Sequence, residues 1–249
     1  MDIPAIRRRM GRNNLERLVG KLRYMNLAVT GAVAHLSHIQ RALNQGGVDR
    51  AWIPPAFHHK LSDWKALALQ AASRTTHLTE IVHREPTHLG FCDASGLGSG
   101  GVWINLARTG QNIVWQHPWN PDIIESLVSS TNPQGTITNS DLELSALVLQ
   151  DSTLLDTVSI SRMTAPHSGS DNTPNVSWST REAPMINLVV AELLRICVLH
   201  SRKFFLNPSV FYHPGKENCM ADDASRLFYL SDTDFLTHMS VVHPQLHGS

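Results

Sequence analysis

Thr87–Trp119 reads THLGFCDASGLGSGGVWINLARTGQNIVWQHPW. Three short extended runs, THLGFCDAS, GGVWINL and QNIVWQHPW, are separated by glycine-bearing segments, a pattern that predicts a three-stranded antiparallel meander. Asp93 closes the apolar part of the first run. Downstream, Asn120–Gly135 is rich in proline, serine and asparagine and reads as an irregular connection. Ser140–Asp156 then carries leucine or valine on nearly every side, as expected of a helix buried against a sheet. MTAPHSGSD is a poor strand, weakened by Pro166 and Gly169. Asn172–Thr180 and Ala183–Arg202 read as helices, SVFYHPG as a short strand and Glu217–Phe228 as a closing helix.

Upstream of the meander the texture is helical. Leu15, Leu18, Val19, Leu22 and Met25 recur at helical spacing, with Asn13 or Asn14 available as the N-cap. A second pattern runs through Val33, Leu36, Ile39 or Gln40, and Leu43 to Gly46-Gly47, and a third, Phe57, Leu61, Trp64, Ala68, follows Pro54-Pro55. Three helices are therefore expected before any strand. The organisation expected is a helical segment over 1–86, an α/β domain over 87–229 and a tail over 230–249, in which Ser231 and Asp234 are spaced like a capping box.

Charge and composition narrow the function classes. The 249 residues hold 21 Lys and Arg against 21 Asp and Glu, so the formal net charge is zero. Positive charge is nevertheless concentrated at the start, where Arg7, Arg8, Arg9, Arg12, Arg17, Lys21 and Arg23 face only Asp2 and Glu16. Such a cluster suits either phosphate contact or a solvated helix face. Cys92, Cys197 and Cys219 are odd in number and far apart, which argues against a disulfide framework or a zinc knuckle and fits an intracellular, reducing compartment. The most apolar run, Met185–Leu199, is interrupted by Asn187, Glu192 and Arg195 and is shorter than the ~20 residues that span a bilayer. His35 and His38 stand one turn apart with no third ligand near, so they read as polar-face residues.

Four acids stand out: Asp93, Glu143, Asp171 and Asp222. Taken singly, each is an ordinary turn or cap residue, Asp171 for example a helix N-cap. Gathered at one end of a sheet, they would form an all-oxygen cage suited to Mg²⁺.

The order Asp, Glu, Asp, Asp on this framework resembles the ribonuclease H domain of a retroelement reverse transcriptase, of the long-terminal-repeat kind or related to it. Four stretches carry the resemblance: CDASGLGSGG (Cys92–Gly101), NSDLELSAL (Asn139–Leu147), SDNTP (Ser170–Pro174) and HPGKENCMADDASRL (His213–Leu227). The resemblance implies a ribonuclease H-like fold, a mixed five-stranded sheet with flanking helices, preceded here by a small helical segment. It implies two Mg²⁺ ions, for which Mn²⁺ can substitute, held by Asp93, Glu143, Asp171 and Asp222. It also implies hydrolysis of the RNA strand of an RNA/DNA hybrid to leave a 3′-hydroxyl and a 5′-phosphate. His213 matches a mobile histidine that assists product release, and a tyrosine-flanked surface histidine is the other account of it. Asn139 resembles a residue that reaches the minor groove, and Ser95 and Asn172 are further candidates for substrate contact. Asp222 takes the catalytic place by register, and Asp223 is expected to be a surface or capping carboxylate.

The upstream segment ERLVGKLRYMNLAV (Glu16–Val29) resembles the thumb and connection helices that follow a polymerase palm, so the polymerase part of a retroelement polyprotein is an expected partner. The palm's paired aspartates are not in this sequence, and Met220-Ala221-Asp222-Asp223 lacks the aromatic that such a pair requires. A ribonuclease H-like module that binds hybrid without cutting it is the competing reading. An integrase needs the glutamate last, and an acidic exonuclease needs Asp-x-Glu where Asp93-Ala94-Ser95 stands.

Overall fold

The computed structural model describes residues 9–25, 36, 39–40, 43–44, 47, 49–53, 55–75, 77–106, 111–181 and 188–246. His35, His38 and the first two arginines of the basic cluster lie outside the described residues, as do Val33 and Gly46 of the second amphipathic pattern. The chain divides into two compact units, one formed by Met1–His77 with Arg181–Val198, the other by Leu78–Thr180 with Leu199–Ser249.

In the first unit, β1 (Arg9–Gly11) leads directly into α1 (Arg12–Met25) and pairs antiparallel with β2 (Arg50–Trp52), which is followed by α2 (Pro55–Ser73). Two strands therefore precede the meander, against the expectation of helices alone. Three residues are too few to display the alternation by which a strand is read from sequence. Helix α1 also begins before Asn13, so neither Asn13 nor Asn14 is its N-cap. Leu15, Val19 and Leu22 of α1 are buried with Leu36, Ile39, Leu43, Phe57, Trp64 and Leu67, as the helical spacing predicts.

The second unit is built on a mixed five-stranded sheet of order β5-β4-β3-β6-β7. Here β3 is His88–Ala94, β4 Gly98–Asn105 and β5 Ile113–Pro118, an antiparallel meander as the sequence requires. β6 (Pro166–Ser170) runs parallel to β3, and β7 (Ser209–Tyr212) parallel to β6. The weak fourth strand forms because it is enclosed on both sides by partners. The segment expected to be irregular contains a short helix, α3 (Pro121–Glu125), capped by the Asn120 side chain.

Helix α4 (Asn139–Thr157) lies on one face of this sheet. Its seat is set by Gln150, fully buried, whose Nε2 donates to the Val102 carbonyl at 2.8 Å and whose Oε1 accepts from Trp115 Nε1. Trp103 Nε1 donates to the Gln150 carbonyl at 2.8 Å. A side chain at Gly90 or Gly101 would strike Gln150, so both positions must be glycine for the helix to approach. The helix starts at a capping box, in which Thr138 Oγ1 accepts from the Asp141 N–H and the buried Asp141 carboxylate accepts from the Thr138 N–H.

Helix α5 (Thr173–Arg181) follows, α6 (Leu188–Phe204) belongs to the first unit as far as Val198, and α7 (Cys219–Arg226) comes after a 3₁₀ turn at Gly215–Glu217. The closing helix is thus shorter than Glu217–Phe228. Ala221 and Ala224 of α7 pack with Phe91 and Val102, on the face opposite that of Gly90 and α4, because successive strand residues point to opposite faces. α8 (Asp232–Val242) begins at Ser231, whose Oγ accepts from the Asp234 N–H, and adds Phe235 and Met239 to the same cluster. No described helix is long and apolar enough to cross a membrane.

Candidate metal-binding carboxylate site

The sheet register itself brings the acids together. β3 and β6 pair Phe91 with Gly169, and two residues further along both parallel strands stand Asp93 and Asp171. β6 and β7 pair Ser170 with Tyr212, so His213 continues the same row. The carboxyl ends of adjacent parallel strands thus present Asp93, Asp171 and His213 side by side, the place where open α/β sheets carry their ligands. Gly169 leaves the space in which Phe91, Phe211 and His213 meet, and the Phe91 and His213 rings are 4.7 Å apart.

Glu143 arrives from the other face, one turn after the capping box and two turns before Gln150. The Asn139 side chain and the Ala94 backbone N–H both hydrogen-bond its carboxylate. Asp93, Glu143 and Asp171 each place a carboxylate oxygen within 4.8 Å of the others, and they are the group of three or more potential ligands that the described residues contain. Asp93 and Glu143 are buried, Asp171 half-buried.

The electrostatics are those of like charges withdrawn from water. Burial, then the neighbouring Asp93 and Asp171 carboxylates, push Glu143 up to about 9. Burial also raises Asp93, opposed by a hydrogen bond from Ser225 and reinforced by Asp171 and Asp222. No Lys or Arg forms an ion pair with any of the three acids among the described residues. A buried carboxylate group without a cationic partner is costly, and a hard divalent cation bound by oxygen would offset that cost.

The other expected site residues are placed as follows. Asp222 stands near enough to raise Asp93, yet its carboxylate is paired with Arg226 at 2.6 Å and lies outside the group of three. Asp171 is not the N-cap of α5. That role belongs to Asn172, whose Oδ1 accepts from the Asn175 N–H at 3.1 Å, which leaves the Asp171 carboxylate to the site. Asn172 Nδ2 also reaches Ser140 Oγ at 3.4 Å. Asn139 is exposed beside Glu143. Ser95 Oγ is engaged in its own turn and with the carbonyl of Ser225. Asp223 meets His238 and His243 of the C-terminal segment.

Sequence reasoning missed Ser225 and Asn218. Asn218 Nδ2 donates to the Cys92 carbonyl at 3.1 Å and so ties the start of α7 to β3. Both flank the recognised Ala221-Asp222 pair, the signal by which they were open to notice.

No protein-family model and no curated protein matches the chain. Among solved structures, it is similar to ribonuclease H1 from the halophilic archaeon Halobacterium salinarum NRC-1, at 13% identity and a TM-score of 0.40 over 55% of this chain and 92% of that one. LC11-RNase H1 in complex with RNA/DNA hybrid gives 13% identity and 0.42 over 55% and 92%. A foamy viral protease-reverse transcriptase in complex with double-stranded DNA gives 11% identity and 0.33 over 86% of this chain and 40% of that one. The architecture expected from the sequence, a mixed five-stranded sheet with flanking helices, is the one observed.

Proposed function

We propose that the protein is a metal-dependent endonuclease that hydrolyses the RNA strand of RNA/DNA hybrids, as part or relic of a retroelement reverse transcriptase. The observation that carries this is the convergence of Asp93, Glu143 and Asp171 at the carboxyl ends of β3 and β6, with no basic side chain among the described residues ion-paired to them. Such a donor set fits Mg²⁺ or Mn²⁺, all oxygen and predominantly anionic. Paired divalent ions activate a water and stabilise the oxygen that leaves in phosphodiester hydrolysis.

The chain's own residues then have distinct tasks. Asp93, from the central strand, and Glu143, from the opposite face, fix the sides of the ion site, and Asp171 closes it. Asp222 joins when its ion pair with Arg226 opens, an exposed contact that is weak in water. His213, whose ring lies tilted against that of Phe91, acts on the departing product in this reading. Asn139 and Asn172 flank the site on the side where Glu143 enters and suit a 2′-hydroxyl, which distinguishes RNA from DNA. Residues 1–86 form the helical thumb- or connection-like segment in this reading, with the polymerase part of the polyprotein as partner.

The test is cleavage of a hybrid labelled on each strand, with Mg²⁺, Mn²⁺ or EDTA, by the full chain and by Asp93→Asn and Asp222→Asn. Metal-dependent cutting of the RNA strand alone, lost in both variants, is the expected result. Salt-sensitive binding of the hybrid without cutting, indifferent to both substitutions, would leave a binding module around a dead site.

A further inference from the structure

The turn after Asp93 and the end of α7 are joined by two serines. Ser225 is fully buried, and its Oγ lies 2.7 Å from Asp93 Oδ2 and 3.0 Å from the Asp222 carbonyl. A hydroxyl has one proton to give, and the shorter bond to an ionisable carboxylate is the stronger claim on it. Asp93 Oδ1 accepts no hydrogen bond from the described residues.

Ser225 is itself held from the other direction. Ser95 Oγ lies 2.6 Å from the Ser225 carbonyl and 3.2 Å from that of Gly98, and it accepts from the N–H groups of Leu97 and Gly98. The Ser95 carbonyl in turn accepts from Trp119 Nε1 at 2.8 Å. Gly100, opposite Asp93 on β4, has no room for a side chain against the Ala224 and Ser225 backbone, so α7 sits on the strand with little freedom to shift.

We propose that Ser225 is a positioning residue for Asp93. Its hydroxyl occupies Oδ2, fixes the plane of the carboxylate and leaves Oδ1 as the oxygen offered to a cation. Ser95 acts on Ser225 and not on nucleic acid. A serine that only satisfied its own helix would need nothing beyond the Asp222 carbonyl. The proposal rests on the metal-site reading above.

Its test is Mn²⁺ binding by calorimetry on the full chain, beside cleavage kinetics and thermal melting, for Ser225→Ala, Ser225→Thr and Ser95→Ala. Ser225→Ala should weaken Mn²⁺ binding about tenfold and lower kcat by a similar factor, the size expected for losing a partner of a metal ligand, with KM for the hybrid within about twofold of the wild type. Ser225→Thr, which keeps the hydroxyl, should recover most of both. Ser95→Ala should weaken Mn²⁺ binding in the same direction by a smaller factor. Wild-type Mn²⁺ affinity in Ser225→Ala overturns the proposal whatever its melting temperature, as does equal loss in the alanine and threonine variants. A Ser95→Ala variant with raised KM and unaltered Mn²⁺ affinity would return Ser95 to substrate contact and break the chain of two. A wild-type protein that binds no Mn²⁺ would instead remove the metal site, and this proposal with it.

Discussion

Asp222 and Asp223 are neighbours on α7, yet they belong to regions held together by opposite physics. Asp222 faces the site where Asp93, Glu143 and Asp171 crowd together with no ion-paired Lys or Arg among the described residues, and burial and mutual repulsion raise both Asp93 and Glu143 against the weaker opposing charge of Arg226. Asp223 Oδ2 meets His243 Nε2 at 2.8 Å and His238 Nε2 at 3.2 Å, and so fastens the C-terminal helix and the residues after it to α7. The first region costs folding energy and the second contributes it. A cluster that persists against its own electrostatics, beside one that is satisfied, is what the proposed metal site requires.

The largest effect that would break this contrast comes from Asp93→Asn. Cleavage should fall on the order of a thousandfold or more, while the metal-free protein melts at a higher temperature because one buried like charge is gone. Lower stability in EDTA would mean that the cluster is structural after all. Next comes Gly100→Ala, which drives a methyl group into the Ala224 backbone and should cost about 3 kcal/mol in denaturant unfolding, disturbing both regions because both depend on the seat of α7.

The pH response sharpens the comparison further. Glu143 titrates near 9 when folded against 4.5 when free, so between those values the folded chain keeps a proton that the unfolded chain has released. Stability therefore falls as pH rises through that window and is flat below it. Asp151, raised to about 7 by burial, acts in the same sense over a lower window. Melting of the metal-free protein between pH 5 and pH 9 should show this decline, and Glu143→Gln should flatten its upper part. A slope unchanged in that variant would place the responsible proton elsewhere.

On the satisfied side, His243→Ala removes a buried partner of Asp223 and should cost about 1–2 kcal/mol with cleavage unaltered, measured by urea unfolding beside the hybrid assay. The smallest effect belongs to Arg226→Ala. Its pair with Asp222 is half-exposed, so stability should change by less than about 0.5 kcal/mol. A large loss there would mean that Asp222 is locked to Arg226 and not available to the site.

Much of this arrangement was legible in the sequence. The glycine-punctuated meander, the buried helix carrying Glu143 and the poor strand before Asp171 each have a local signature, and the order of the acids follows from them. What escaped was of three kinds. The β1 and β2 strands are too short for any period to show. The cap of α5 fell to Asn172 because two adjacent residues both suit an Asx cap, and only the register of β6 decides which of them faces the sheet end. The Ser225 bond to Asp93 spans 132 residues of chain, and no local pattern encodes a contact of that separation.

The Gln150 fork has a kinetic consequence. With its amide committed to Val102 and Trp115 and its carbonyl to Trp103, α4 cannot slide or roll on the sheet without breaking three buried hydrogen bonds at once. Glu143 is therefore carried on a stiff arm whose reach is settled during folding. In the metal-site reading proposed above, an arriving ion meets Asp93, Glu143 and Asp171 already in place, so its first capture should be timed by the shedding of its own water and not by any movement of this helix.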